Sequence, residues 1–308
     1  MFRSSNFYTF SFLSILSAVS IFLTGCSSVP SHVSSENFQP LAKNTIPFKL
    51  NPGHFWQYLT GGSGCLDHLC VSAKICIKTT CEVVDNLLLD TGSVGLKIKE
   101  GAFSQKMKRL LKKTELTVNG QVITEKASYS GGDLFGPVNS VSVRVGSYKN
   151  KTVNVLVINR TSVLSTYINL IRVNGILGIA SDSNGGEAFS WKNYKKGFVS
   201  SEMTRILLKH DSVLPVGVSY VLSIPKGPGQ GKLVLTDRSV VSCQKHKQKF
   251  GILDTGMPNA SVVFKSKNSK TGPWYIVGLP RLKGHTIVYS PSYTIFKKTC
   301  YKKYEIYK

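Results

Sequence analysis

Two aspartates stand in the same short setting within this chain. Leu87-Leu88-Leu89-Asp90-Thr91-Gly92 recurs as Gly251-Ile252-Leu253-Asp254-Thr255-Gly256. In each copy an apolar run reads as a buried strand, a carboxyl ends it, a hydroxyl follows, and a glycine allows a sharp turn. A single Asp-Thr-Gly also serves as an ordinary strand-ending turn, with Asp accepting local backbone hydrogen bonds. A second copy behind a second buried strand points instead to chemistry. Two carboxyl groups held close together cannot both ionise cheaply, so one keeps its proton while the other acts as base. Such a pair can take a proton from water and supply one to a carbonyl and then to a leaving nitrogen. The proton belongs to the pair rather than to either residue. Each copy is followed by an apolar-apolar-Gly element, Ile176-Leu177-Gly178 after the first and Ile276-Val277-Gly278 after the second, which implies two halves of related design.

The elements that must position these residues are mostly strands. Val141, Val143 and Val145 alternate with Ser142 and Arg144, and residues 153–158 form an apolar run broken by Asn154. Asn119-Gly120 sits between Leu116-Thr117-Val118 and Gln121-Val122-Ile123, the two-residue turn that a twisted hairpin favours. Short helices are expected at 104–113, from Met107, Leu110 and Leu111, and at 201–209, from Met203, Ile206 and Leu207. The chain has 308 residues, 42% hydrophobic and 18% charged, with 27 Gly and 12 Pro. That composition excludes a disordered polyelectrolyte, a coiled coil and a collagen-like repeat. The length fits one large β architecture or two packed lobes of about 130 to 150 residues.

The N-terminus reads as an export signal. Arg3 precedes an apolar stretch from Phe7 to Leu23, which ends in Leu23-Thr24-Gly25-Cys26. An uncleaved membrane anchor is the alternative, since that stretch only just reaches spanning length. The Leu-Thr-Gly-Cys ending resembles the lipobox of bacterial lipoproteins, which implies acylation of Cys26 and a place in the cell envelope; Ser27 after it implies the outer membrane. Residues 27 to about 45, rich in Ser, Pro and Asn, read as a tether. Six cysteines remain, an even number in a chain addressed to an oxidising compartment, so disulfides are expected. Cys76 with Cys81 would close a hairpin, Cys65 with Cys70 a short loop, and Cys243 is then left for Cys300, one of fifteen possible pairings. Zinc at the four cysteines of residues 65–81 is a lesser alternative, because the gaps are four residues rather than two.

The chain resembles a pepsin-like aspartic peptidase from about residue 70 to near its C-terminus. The residues that carry the likeness are Leu88-Leu89-Asp90-Thr91-Gly92-Ser93, Asn174-Gly175-Ile176-Leu177-Gly178-Ile179-Ala180, Ile252-Leu253-Asp254-Thr255-Gly256, and Tyr129-Ser130-Gly131-Gly132 with the strand Val141 to Val145. The resemblance implies a mostly β, bilobal acid-protease barrel with minor helices and a shortened second lobe. It assigns Asp90 and Asp254 to a catalytic dyad and Thr91 and Thr255 to a lock between the loops. Gly92 and Gly256 would allow the turns, Ser93 would hydrogen-bond the Asp90 carboxylate, and Tyr129 would close over substrate as part of a hairpin flap. A proton shared between two aspartates is the established property of that family, and the resemblance extends it to this chain. The chain also resembles an uncharacterised family of exported bacterial proteins with the same paired motifs. The expected divisions are a signal peptide at 1–25, a tether at 26–45, an N-terminal lobe at 46–190 and a C-terminal lobe at 191–308. Three departures stand out. Met257 replaces the usual hydroxyl residue of the second motif, Gly278 follows Gly256 far sooner than Gly178 follows Gly92, and Ser130 replaces the glycine common after the flap tyrosine.

A formal net charge of +23 raises nucleic acid as a partner, but the lysines are scattered and export removes most such targets. Clusters such as Lys245-His246-Lys247 and Lys297-Lys298 suit solvated faces or the anionic headgroups of an envelope membrane. The six histidines show no His-Glu-x-x-His spacing, and no Gly-x-Ser-x-Gly elbow is present. No cofactor or metal is expected. Two functions follow: a membrane-tethered aspartic endopeptidase acting on peptides or proteins, facing the periplasm or cell surface, or an inactive binding or structural lipoprotein that keeps the same fold.

Overall fold

In the computed structural model the described residues are 40–51, 64–118, 120–129, 132–161, 172–180, 213–214, 218–236, 243, 247–257, 261–264, 274–290, 293–297 and 299–302. The apolar segment Phe7 to Leu23, Cys26, most of the tether and the helix expected at 201–209 lie outside them. The protein is mostly β. Its first strands are β1 (Pro40–Leu50), β2 (Leu69–Ile77), β3 (Thr80–Asp90) and β4 (Val94–Lys99). A 3-10 turn (Glu100–Ala102) then leads into helix α1 (Gln105–Leu111), inside the range expected from the sequence. β5 (Thr117–Val118) and β6 (Gln121–Val122) form the small hairpin around Gly120, and β7 (Thr124–Tyr129) with β8 (Gly132–Val145) forms a larger one. β9 (Tyr148–Ile158), β10 (Arg160–Thr161) and β11 (Gly175–Ile179) complete this half. β1 starts at Pro40, ahead of the boundary near residue 45 expected for the tether.

Six of these strands close on themselves. β2 pairs with β3, β3 with β11, β11 with β4, β4 with β9, β9 with β8, and β8 returns to β2. Closure leaves no free edge in this ring. Ile75, Leu96, Ile98, Val143, Val155 and Leu177 are almost wholly buried in the main core. Each such side chain contributes about 1.5–3 kcal/mol over an exposed one. β11 explains why its sequence is apolar without alternation: it lies between β3, parallel, and β4, antiparallel, and all five residues are buried. Gly178 on β11 must be glycine, because a Cβ there would stand 2.5 Å from the Ser93 carbonyl oxygen. Helix α1 starts at Ser104, whose side chain accepts from the Met107 N–H, and lays Met107 and Leu111 into the core.

The second half comprises β12 (Ser219–Ser223), β13 (Gly229–Thr236), β14 (Lys247–Asp254), β15 (Ser261–Phe264) and β16 (Trp274–Gly278). Helix α2 (Leu279–Leu282) and strands β17 (Thr286–Tyr289), β18 (Tyr293–Phe296) and β19 (Thr299–Lys302) follow. Among the described residues these strands form an open run in which β13, β12, β17, β18, β19, β14, β16 and β15 are successive neighbours. β1 joins the two halves, pairing with β13 through most of its length and with β2 at Lys49 and Leu50. Three disulfides are formed, Cys65–Cys70, Cys76–Cys81 and Cys243–Cys300, the preferred set among the fifteen. All four cysteines of residues 65–81 are therefore in disulfide bonds, which removes the zinc alternative.

Candidate active site

The two Asp-Thr-Gly turns are built the same way. β3 runs into Asp90, turns, and returns as β4, while β11 inserts between them with Gly178 opposite Asp90. β14 runs into Asp254, turns, and returns as β15, while β16 inserts between them with Gly278 opposite Asp254. The apolar-apolar-Gly elements picked out in the sequence are these inserted strands. A buried strand ending in a turn places each carboxyl at the strand end, where side chains leave the ladder. The shorter stretch between Gly256 and Gly278 still suffices for the second copy.

The turns meet through their threonines. The Thr91 N–H donates to Thr255 Oγ1 at 3.0 Å, and the Thr255 N–H donates to Thr91 Oγ1 at 3.0 Å. Each hydroxyl then donates across the seam, Thr91 Oγ1 to the Leu253 carbonyl at 2.7 Å and Thr255 Oγ1 to the Leu89 carbonyl at 2.5 Å. Four reciprocal bonds, all buried, fix one turn against the other and leave no polar atom of either threonine side chain unpaired. Stacked Tyr220 and Tyr289, with ring centroids 4.6 Å apart, add a second polar tie. Tyr220 Oη donates to the Ile179 carbonyl at 3.2 Å, and Tyr289 Oη donates to the Leu253 carbonyl at 3.3 Å.

This scaffold brings the carboxyl groups of Asp90 and Asp254 within hydrogen-bonding reach of each other. The glycines make room crosswise. A Cβ on Gly92 would lie 2.6 Å from Cγ of Asp254, and a Cβ on Gly256 would lie 2.9 Å from Oδ1 of Asp90. Each backbone also serves its own aspartate: the Gly92 N–H donates to Asp90 Oδ1 at 2.8 Å, and the Gly256 N–H donates to Asp254 Oδ1 at 2.9 Å. The surroundings then differ. Ser93 Oγ donates to Asp90 Oδ2 at 2.5 Å, whereas Met257 at the matching position has no hydroxyl to offer Asp254. Burial of its carboxyl, then the neighbouring charge of Asp90 and the hydrogen bond between them, push Asp254 well above the ordinary carboxylate range. Asp254 keeps some residue surface open to solvent, but its carboxyl is packed on Gly92. The arrangement is a coupled carboxyl pair in which ionising both groups is costly, so that a proton is held by the pair.

Tyr129 ends β7, with Gly132 opposite it at the tip of the hairpin; Ser130 and Gly131 lie outside the described residues. The ring is half-buried against a cluster that includes Leu88, and the hydroxyl is fully enclosed with no hydrogen-bond partner among the described residues. Burial, then the Asp90 charge, raise its proton affinity, and the nearby Ser93 hydroxyl opposes this, which places Tyr129 beside the Asp90 end of the pair.

Sequence reasoning passes over four residues near this site: His68, Lys97, Glu125 and Tyr220. Cys70 pairs with Leu88 between antiparallel β2 and β3, and continuing that register past the end of β2 brings His68, two residues before Cys70, toward Asp90, two residues after Leu88. His68 is buried at 5% exposure, with Nδ1 2.6 Å from the Leu66 carbonyl, and burial lowers its proton affinity. Its place between two nearby cysteines is the signal that could have found it. Lys97 and Glu125 give none, since a lone lysine in a strand and a lone glutamate in a hairpin read as solvent-facing.

Among the described residues no group of His, Cys, Asp and Glu is set to hold a metal ion. No curated protein matches this chain. Residues 41–192 are similar to a family described as a protein of unknown function (DUF3443), a stretch that takes in Asp90, Ser93 and Tyr129 and stops short of Asp254.

Proposed function

We propose that this protein is a pepsin-like aspartic endopeptidase of two lobes, exported and held by a lipid on Cys26 in a bacterial envelope. The observation that carries the reading is the facing pair Asp90 and Asp254, fixed across the seam by the Thr91 and Thr255 bonds. In this reading water lies between the carboxyls. Asp90, whose oxygens accept from Gly92 and Ser93, takes a proton from the water. The hydroxide attacks the peptide carbonyl while the proton on Asp254 stabilises the developing oxyanion, and collapse transfers a proton to the leaving nitrogen. Tyr129 would cover the substrate and offer its hydroxyl. Peptides or proteins of the envelope are the substrate class, and the excess of lysine and arginine favours contact with anionic headgroups.

A second reading rests on one specific feature. Met257 leaves Asp254 without the hydroxyl that Asp90 enjoys, which suits a binding or structural lipoprotein that retains the fold. Purified protein assayed on a peptide library from acid to neutral pH, with a pepstatin-type inhibitor and the Asp90→Asn and Asp254→Asn variants, separates the two. The peptidase reading expects cleavage that falls by at least about 100-fold in either variant. Cleavage that survives both substitutions, or no cleavage at any pH, rejects it.

A further inference from the structure

The two strand ends that carry the carboxyls are held by different sets of hydroxyls. The Leu89 carbonyl, one residue before Asp90, accepts from Thr255 Oγ1. The Leu253 carbonyl, one residue before Asp254, accepts from Thr91 Oγ1 and also from Tyr289 Oη. A peptide unit is planar, so a carbonyl oxygen held in place also fixes the Cα that follows it, from which the carboxyl extends. Tyr289 on β17 is 3% exposed and stacks on Tyr220, its register partner on β12, with both rings in the main core. Tyr220 donates to the Ile179 carbonyl on β11, next to the Gly178 that stands opposite Asp90. The stacked tyrosines are thus bonded to backbone of both halves, directly behind both carboxyls. The Thr91 side chain is also within hydrogen-bonding reach of the Tyr289 hydroxyl, which ties the stack to the threonine bonds of the seam.

We infer that Tyr289, aligned by Tyr220, is a positioning residue for the Asp254 carboxyl and supplies through the backbone the hold that Met257 cannot supply through a side chain. Ser93 orients the Asp90 carboxyl directly. The Asp254 carboxyl has the backbone N–H groups of Gly256 and Met257 and the Asp90 carboxyl as partners, with no side-chain hydroxyl bonded to it among the described residues. Its place against Asp90 therefore depends on the strand end that carries it, and that is the strand end with the additional hydroxyl. Removing the Tyr289 hydroxyl leaves the Leu253 carbonyl bonded to Thr91, so no buried acceptor loses its last partner and the effect falls on placement more than on stability. The positioning stands on this geometry, while its effect on turnover rests on the peptidase reading above.

Tyr289→Phe keeps the stacked ring and removes one oxygen. NMR titration of the Asp254 side-chain carboxyl carbon, a readout that needs no cleavage, is expected to give a midpoint lower than wild type by about half a pH unit or more, because a carboxyl that swings away from Asp90 is less opposed by its charge. In Met257→Ser/Tyr289→Phe the fall relative to Met257→Ser alone should be less than about half as large, since a hydroxyl at position 257 then holds the carboxyl. Where peptide is cleaved, Tyr289→Phe should lower kcat about threefold or more and leave KM unchanged. If Tyr289→Phe does not fold, Tyr220→Phe carries the test, with a fall of the Asp254 midpoint in the same direction. Lost stability with an unmoved Asp254 midpoint makes the tyrosine merely structural and overturns the inference, as does an equal fall with and without the serine. The expected titration pattern in a protein that cleaves nothing supports the positioning and rejects the peptidase reading instead.

Discussion

Asp90 and Asp254 end equivalent strands but have unequal company. Asp90 is held by a backbone N–H and the Ser93 hydroxyl, while Asp254 has the backbone N–H groups of Gly256 and Met257 but a methionine side chain where a hydroxyl would serve. A hydroxyl donated to a carboxylate favours its charged form. Met257→Ser should therefore lower the proton affinity of Asp254 and move the upper limb of the pH profile of kcat to lower pH. An upper limb that stays in place would show that the side chain at position 257 does not reach the carboxyl. The sign is set by the pair: in the peptidase reading activity needs one proton between the two groups, is lost at low pH when both are protonated, and is lost at high pH when both ionise. Gly92 makes a separate prediction. In Gly92→Ala the new methyl meets the Asp254 carboxyl at 2.6 Å, a flexible group that can yield, so the protein should fold while kcat drops at least about tenfold. Full activity in that variant would mean the carboxyl is not packed where it is described.

The elements explain how two distant sequence segments become one site. In each half a strand ends at the aspartate, returns as a second strand, and accepts a third between them; the two copies then meet through Thr91 and Thr255. Thr91→Val removes a hydroxyl that both donates and accepts, and strands the Thr255 N–H in a buried seam, while the Leu253 carbonyl keeps its bond from the Tyr289 hydroxyl. One unpaired buried group costs on the order of 1–3 kcal/mol, to be read as a lower midpoint in chemical denaturation. A change below about 0.5 kcal/mol would mean the seam is wet or open. Much of this is legible in the residues alone. The repeat, the apolar strands behind it, helix α1, the small hairpin around Gly120 and the preferred disulfides all carry local signals of type, spacing or period. The burial of Lys97 and Glu125 is not legible, because a charged side chain in a strand reads as solvent-facing and only the tertiary fold encloses it. His68 escapes for a related reason: its neighbour Asp90 is reached through register, not through sequence.

At the scale of the molecule, β1 ties the two halves together, while each disulfide closes a loop inside one half. β1 is hydrogen-bonded to β13 on one side and to β2 on the other, so the strand nearest the proposed tether is also the strand shared by both halves. Cys243–Cys300 spans 57 residues, a loop whose closure is worth about 4 kcal/mol in the chain-entropy account. Lys283 adds a surface bond to Asp67 at 2.6 Å, joining the Cys65–Cys70 loop to the segment after α2, a contact worth at most about 1 kcal/mol. Buried carboxyls set the pH response of the whole fold. Burial, opposed by Lys97, pushes Glu125 up to about 7, and Asp254 is also raised. The native state then binds more protons than the unfolded chain between the ordinary carboxylate range and these higher values, so stability falls as pH rises through that window. His68, lowered by burial, acts in the opposite sense, losing stability as pH falls through its folded value. Glu125→Gln should flatten the decline between about pH 4.5 and pH 7 by on the order of 3 kcal/mol, measured as the difference in unfolding free energy between those limits. An unchanged slope would show that Glu125 titrates like an exposed glutamate.

Whether Asp90 and Asp254 hold one proton between them is read most directly at the side-chain carboxyl carbon of Asp254. Titration of that carbon by NMR should show a protonated Asp254 well above the ordinary aspartate range, with its midpoint moving down in Asp90→Asn as the opposing charge disappears. A midpoint at the ordinary value, or one indifferent to Asp90, would contradict the account.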